Sequence, residues 1–151
     1  MTPQIQRYHY TECGLLNVWV EGLCMEDDAG EQIIKIPNIG SLHKLISKGI
    51  VTSQGTLTGC ELRYLRTEMG MTQTQLADLV HRERLTVYRW EHEENSLDGA
   101  TEAYIRILAS SKLRLDKIDP EEVSGWCKMT AENKLPICID ATDPDNYRLA
   151  A

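Results

Sequence analysis

Met71-Thr72-Gln73-Thr74-Gln75-Leu76-Ala77-Asp78-Leu79-Val80-His81-Arg82-Glu83-Arg84-Leu85-Thr86-Val87-Tyr88-Arg89-Trp90-Glu91 is the stretch that decides the fold. Its first half reads as a short helix entered through Thr72. A threonine at the N-cap with glutamine three positions on is a capping box, in which each side chain satisfies a backbone N–H of the other residue. Leu76, Ala77, Leu79 and Val80 are expected to face inward, Ala77 being small where another helix must cross closely. His81-Arg82-Glu83 makes the turn. A further helix then spans Arg84 to Glu91, with Val87 and Trp90 at i,i+3 buried and Arg84, Thr86 and Arg89 outward. Upstream, Glu61–Met69 reads as a helix with Leu62 and Leu65 on its apolar face. Gly70 ends it, since glycine enters the left-handed conformation without penalty. Helical periodicity continues to about residue 113.

Two short helices joined by a tight turn, the second with a polar outward face, are what a reader of the DNA major groove needs. The groove admits one helix, whose first residues must carry hydrogen-bonding side chains to the base edges. Arginine pairs with guanine through two hydrogen bonds, and threonine donates, accepts or touches a thymine methyl. The net charge of −7 over 151 residues argues the other way, because neutralising phosphates takes Lys and Arg. The distribution of charge answers this. Residues 58–91 hold five basic and five acidic side chains, while the segments on either side are acidic. A local basic edge on an acidic chain is compatible with DNA binding in which nonspecific affinity is suppressed.

Met71 to Ala77 followed by Thr86 to Glu91 resembles the phage-repressor-like (XRE, Cro/C1) helix-turn-helix family. The resemblance covers residues 58 to about 112 and implies a lambda-repressor-like five-helix bundle with a helix near Gly99–Ser110. It implies DNA contacts by Gln73 at the start of the second helix, and base reading by Arg84, Leu85, Thr86 and Arg89. Arg82, in the turn, joins this DNA-binding set. Arg66 and Glu91 match a family ion pair that ties the first helix to the end of the third, a structural role. His81 stands where the family often has glycine. Histidine adopts the left-handed conformation, though less readily.

Residues 1–50 read as a small three-stranded sheet with one helix. Strands are expected within Ile5–Glu21 and at Ile33–Ile36, a polar turn at Glu26–Gly30, and a helix over Leu42–Ser47 capped by Ser41. Trp19, Tyr8, Ile34 and Leu42 are the candidate core. Residues 51–57 read as a linker, 58–113 as the helix-turn-helix domain, and 114–151 as an extended acidic C-terminal tail. Within the tail, Pro120–Val123 starts a helix, Leu135–Ile139 is a candidate edge strand, and the last eight residues are expected to be mobile. The fold class is therefore α+β.

Tyr8 to Leu15 with Asn17-Val18-Trp19 resembles the head of MqsA-type antitoxins, in which an N-terminal domain grips the toxin and the C-terminal helix-turn-helix binds the operator. Those heads hold zinc. Here Cys13 stands without a CxxC partner, so no metal and no cofactor is expected. The terminal Leu149-Ala150-Ala151 resembles degradation tags that bacterial unfoldase-proteases recognise, which implies a short-lived protein.

Five cysteines, an odd number without a CxxC pair, point to free thiols in a reducing cytosol. No run approaches the roughly 18 apolar residues of a membrane span, and the N-terminus has no signal-peptide core. A cytoplasmic protein is expected. No glycine-rich phosphate loop, HExxH or G-x-S-x-G is present, so no catalytic residue is assigned and the chain is not read as an enzyme. The expected function is a sequence-specific DNA-binding transcriptional regulator. It would repress its own gene as a homodimer on a palindromic operator, with a toxin as possible partner in a type II toxin–antitoxin pair. A protein-interaction adaptor that keeps the helices as a scaffold is the alternative.

Overall fold

The computed structural model describes residues 6–23, 25–127 and 135–150. It is α+β, with a four-stranded sheet, a separate two-stranded hairpin and six helices among the described residues. Backbone proximity divides the chain into two compact units, Met1–Ile46 with Pro136–Ala151, and Ser47–Leu135. No helix is long and apolar enough to cross a membrane, among the described residues.

The first unit holds β1 (Gln6–His9), β2 (Val18–Leu23), β3 (Met25–Asp28), β4 (Glu31–Ile34), most of α1 (Ile39–Val51), β5 (Ile137–Asp140) and β6 (Arg148–Leu149). The sheet order is β1-β2-β5-β6. β1 and β2 are antiparallel with His9 opposite Trp19, and β2 and β5 run parallel with Val18 opposite Ile137. Side chains alternate across a strand, so Val18, Val20, Ile137 and Ile139 share the buried face. Leu42 and Ile46 of α1 are fully buried, and the Tyr10 hydroxyl meets His43 Nε2 at 2.9 Å. β3 and β4 pair as a hairpin whose two turn residues, Ala29 and Gly30, both have positive φ, the geometry that matches strand twist.

Several sequence expectations change here. The strand expected at Ile33–Ile36 runs from Glu31 to Ile34 and pairs with β3 outside the four-stranded sheet, so residues 1–50 do not form one three-stranded sheet. The helix expected over Leu42–Ser47 behind a Ser41 cap spans Ile39–Val51, with Ser41 inside it. Glu26–Asp28 belong to a strand, and the turn shrinks to Ala29-Gly30. Ile137–Ile139 form an interior strand between β2 and β6, where an edge strand was expected. The chain end is paired: β6 is bonded to β5, Ala150 N–H donates to the Cys138 carbonyl at 2.8 Å, and Tyr147 is buried. Residues 136–150 therefore belong with the N-terminal sheet and not with an extended tail. The core also differs. Trp19, Tyr8 and Ile34 are half-buried, and Leu15, Val18, Val20 and Ile139 fill the interior with Leu42.

The second unit holds α2 (Gly59–Glu68), α3 (Gln73–Leu79), α4 (Arg84–Glu91), α5 (Gly99–Lys112) and α6 (Pro120–Trp126). Capping explains most of these boundaries. Thr58 and Glu61 form a capping box on α2, Thr72 and Gln75 another on α3, and Asp98 accepts from Thr101 N–H at the start of α5. At the other ends the chain turns left-handed. Gly70 (φ 70°) follows α2, His81 (φ 58°) α3, Glu93 (φ 58°) α4 and Arg114 (φ 54°) α5. After each, an N–H reaches five residues back, as Met71 to Arg66 at 3.1 Å and Arg82 to Ala77 at 2.9 Å. That bond satisfies a carbonyl the helix leaves open.

Leu62, Leu65, Leu76, Ala77, Val87, Trp90, Ile105 and Ala109 form the core of this unit. Among them lies Arg106, fully buried. Its Nη1 donates to the carbonyls of Val51 at 3.0 Å and Ser53 at 2.5 Å, and its Nη2 to Gly55 and Glu102. Residues 51–55, expected to be linker, are thus fastened to α5 by one guanidinium. A buried charge is tolerated when it is paired and most of its donors are engaged, as here, where Nη1 and Nη2 are bonded and Nε has no hydrogen-bond acceptor among the described residues.

Candidate nucleic-acid interface

α4 buries one face and exposes the other. Val87, Trp90 and Glu91 point into the unit, while Arg84, Leu85, Tyr88 and Arg89 are exposed. Thr86, expected outward, is half-buried at the margin. Leu79 departs in the other direction: expected inward, it is 38% exposed and lines a shallow groove with Val80, His81, Ala100, Thr101 and Tyr104.

A chain of polar contacts links the interior to the exposed face. Arg66 Nε donates to Glu91 Oε1 at 2.5 Å, and a second Arg66 nitrogen donates to the Met71 carbonyl at 2.8 Å. The pair expected from Arg66 and Glu91 is therefore present, with the Glu91 side chain 1% exposed. Gln73 Nε2 donates to the other Glu91 oxygen at 2.7 Å. Gln73 Oε1 in turn accepts from Arg84 Nη1 at 3.0 Å. The start of α3 thus holds the first residue of α4 through a single amide. Arg84 retains donors for an external acceptor, because guanidinium carries five N–H groups.

The remaining arginines have carboxylate neighbours. Arg82 lies 3.4 Å from Asp98, and Arg89 lies 3.9 Å from Glu94, with all four side chains about half exposed. Pairs this exposed contribute little and are screened by salt, so they give way readily to a stronger anion such as phosphate. Hydrogen bonds from the Thr101 hydroxyl and N–H hold the Asp98 carboxyl below the usual aspartate range, with Arg82 a smaller contribution.

Reading the sequence missed two residues at this face. Tyr88 is exposed and stacks on His92, with ring centroids 3.9 Å apart. Its position four residues after Arg84 was the available signal. In the other unit, Cys13 Sγ donates to the Tyr10 carbonyl, and His9 stacks on Trp19 with a centroid distance of 4.1 Å. Among the described residues no group of three or more His, Cys, Asp or Glu is arranged to hold a metal.

Comparison with family models, curated proteins and solved structures finds no match to this chain.

Proposed function

We propose that this chain is a sequence-specific DNA-binding transcriptional regulator of the helix-turn-helix kind, similar to phage-repressor-like regulators. In this reading α3 lies across the DNA backbone and α4 enters the major groove. The observation that carries it is the exposed arc of α4. Arg84, Leu85 and Arg89 stand outward on a helix whose other face is buried, and Gln73 fixes Arg84 from the start of α3. Arg84 and Arg89 then pair with guanine edges, Leu85 and Thr86 make shorter contacts, and Arg82 contacts phosphate.

Eight residues of helix are about 12 Å long, which reaches only a few base pairs. Specific regulation therefore calls for two copies of the chain on a palindromic operator, with half-sites about one helical turn apart. Repression of its own gene in the cytoplasm, as the antitoxin of a type II pair, is the narrower setting that the resemblance of the head to MqsA-type antitoxins favours.

The test uses the full chain and a duplex that it enriches from a random pool. Arg84→Ala and Arg89→Ala should each weaken binding by about 1–3 kcal/mol on that duplex, with a smaller loss on random DNA. Equal loss on both would mean contact with phosphate alone and would contradict base reading. A second reading, a protein-interaction adaptor, is favoured by the net charge of −7 and by the exposed Leu79 and Tyr104. DNA affinity that falls steeply with salt would count against it.

A further inference from the structure

We propose that Asp98 and Glu94 act as built-in competitors of DNA phosphate, masking Arg82 and Arg89 and so holding down the affinity of the chain for DNA of arbitrary sequence. This rests on the reading of the α4 face as a DNA interface, and deepens it by naming what regulates that face.

Both carboxylates come from the segment that joins α4 to α5, and the backbone stops of the helices place them. Left-handed Glu93 ends α4, and the N–H of Glu94 then donates to the carbonyl of Arg89 at 2.9 Å. The bond that closes the helix thus sets Glu94 beside Arg89, with a carboxylate oxygen 3.9 Å from its Nε. Arg82 is placed by the equivalent stop of α3, and its Nη2 lies 3.4 Å from Asp98 Oδ1. Thr101 holds that carboxylate from two sides, its hydroxyl donating to Oδ1 at 2.7 Å and its N–H to Oδ2 at 3.1 Å. Such anchoring removes part of the side-chain entropy that weakens exposed ion pairs. Residues 92–98 carry three carboxylates. Glu93 turns to the start of α2, accepting from Gly59 N–H, and the other two each face an arginine.

Arg84 is held differently. Its acceptor is the Gln73 amide, which takes a hydrogen bond and leaves the charge in place. A guanidinium beside a carboxylate presents almost no net charge to a phosphate some distance away. Arg82 and Arg89 therefore add little to the loose attraction between the chain and any duplex, which depends on the number of phosphates neutralised. The pairs remain weak enough to open where a docked duplex brings phosphate or a base edge against the arginine. What they suppress is attraction at a distance, the sequence-independent part of binding.

The experiment titrates the full chain with a random-sequence duplex over a series of salt concentrations. Asp98→Asn keeps the helix cap and removes the charge. It should raise affinity roughly two- to fivefold, the range an exposed ion pair spans. The slope of log affinity against log salt should steepen by up to about one, because one more phosphate is neutralised. In an Arg82→Ala background the same substitution should change affinity little, since the group it unmasks is gone. Glu94→Gln should behave in the same way with and without Arg89→Ala. Equal gains in both backgrounds would mean that the carboxylates only repel DNA, and no gain in either would mean that the arginines are not masked. Each of those results overturns the inference and leaves DNA reading by α4 standing. If neither the chain nor its variants bind duplex DNA at low salt, the DNA-binding reading itself fails, and the inference fails with it.

Discussion

Gln73 Nε2 donates a 2.7 Å hydrogen bond to Glu91 Oε2, so the first residue of α3 is tied to the last residue of α4. Glu91 also receives Arg66, and Gln73 also receives Arg84. One buried carboxylate therefore orients both the internal arginine and, through an amide, the arginine on the exposed face. Removing Glu91 leaves Arg66, whose side chain is 14% exposed, without its charge partner. Glu91→Ala should cost about 3–5 kcal/mol in a denaturant titration, as breaking a buried pair does. Gln73→Ala should cost about 1 kcal/mol or less in stability, yet weaken binding to the enriched duplex more than to random DNA. If Gln73→Ala left the ratio of those two affinities unchanged, the amide would have no part in placing Arg84.

His81 holds a left-handed conformation at φ 58° to end α3. A side chain there costs roughly 1–2 kcal/mol relative to glycine, offset in part by the extra entropy glycine has when unfolded. His81→Gly should therefore raise stability by about 0.5–1 kcal/mol and raise the melting temperature. A lower melting temperature would mean that the imidazole makes a stabilising contact of its own.

Gly59, at the first position of α2, has its α-carbon against the end of α4. A methyl group added there would run into the carbonyl oxygens of Glu91 and Trp90. Backbone atoms cannot swing aside as side chains do, so the helices must separate. Gly59→Ala should lose about 1–3 kcal/mol, the usual penalty of overpacking. It should also disturb the N–H of residue 59, which donates to Glu93 Oε1 at 2.7 Å. Hydrogen exchange at that amide, together with thermal melting, checks both effects. Unchanged values for the two would contradict the close approach.

Asp98 caps α5, and its carboxyl titrates below the usual range because Thr101 donates to it twice. A depressed folded-state value means that the carboxylate's contribution to stability is complete above the unfolded value, about pH 4. It is lost as pH falls from there through the folded value. Asp98→Asn keeps a capping acceptor and removes this titration. Between neutral pH and pH 3, the wild type should lose more stability than Asp98→Asn. Parallel acid curves would show that the Asp98 charge plays no part. Asp98→Ala should cost about 1 kcal/mol at pH 7, where the carboxylate cap is fully ionised.

Much of the second unit was legible because its signals are local. Capping residues, a glycine stop and apolar spacing all act within a few positions, so α3 begins where Thr72 predicts, and α4 begins at Arg84, directly after the expected turn His81–Glu83. α2 starts two residues earlier than expected, because Thr58 forms a capping box of its own with Glu61. The sheet was harder to read. β5 pairs in parallel with β2 across more than a hundred residues, and nothing in Leu135–Ile139 specifies its partner. Ile137 and Ile139 are consistent with any half-buried strand. Arg106 is intermediate between these cases. Glu102 and Arg106 stand at i,i+4 in the same stripe as Ile105 and Ala109, a spacing that signals a paired arginine turned inward. Its three carbonyl acceptors at residues 51–55 come from distant sequence and left no such mark.

The most direct test of base reading by α4 is a titration of the full chain with DNA from upstream of its own gene, beside a random duplex, at two salt concentrations. The account predicts roughly nanomolar preference for the upstream DNA. Affinity for both duplexes should fall with salt as phosphate contacts release counterions, and the preference should narrow in Arg84→Ala. Equal affinity for both duplexes at either salt, unchanged by Arg84→Ala, would contradict it.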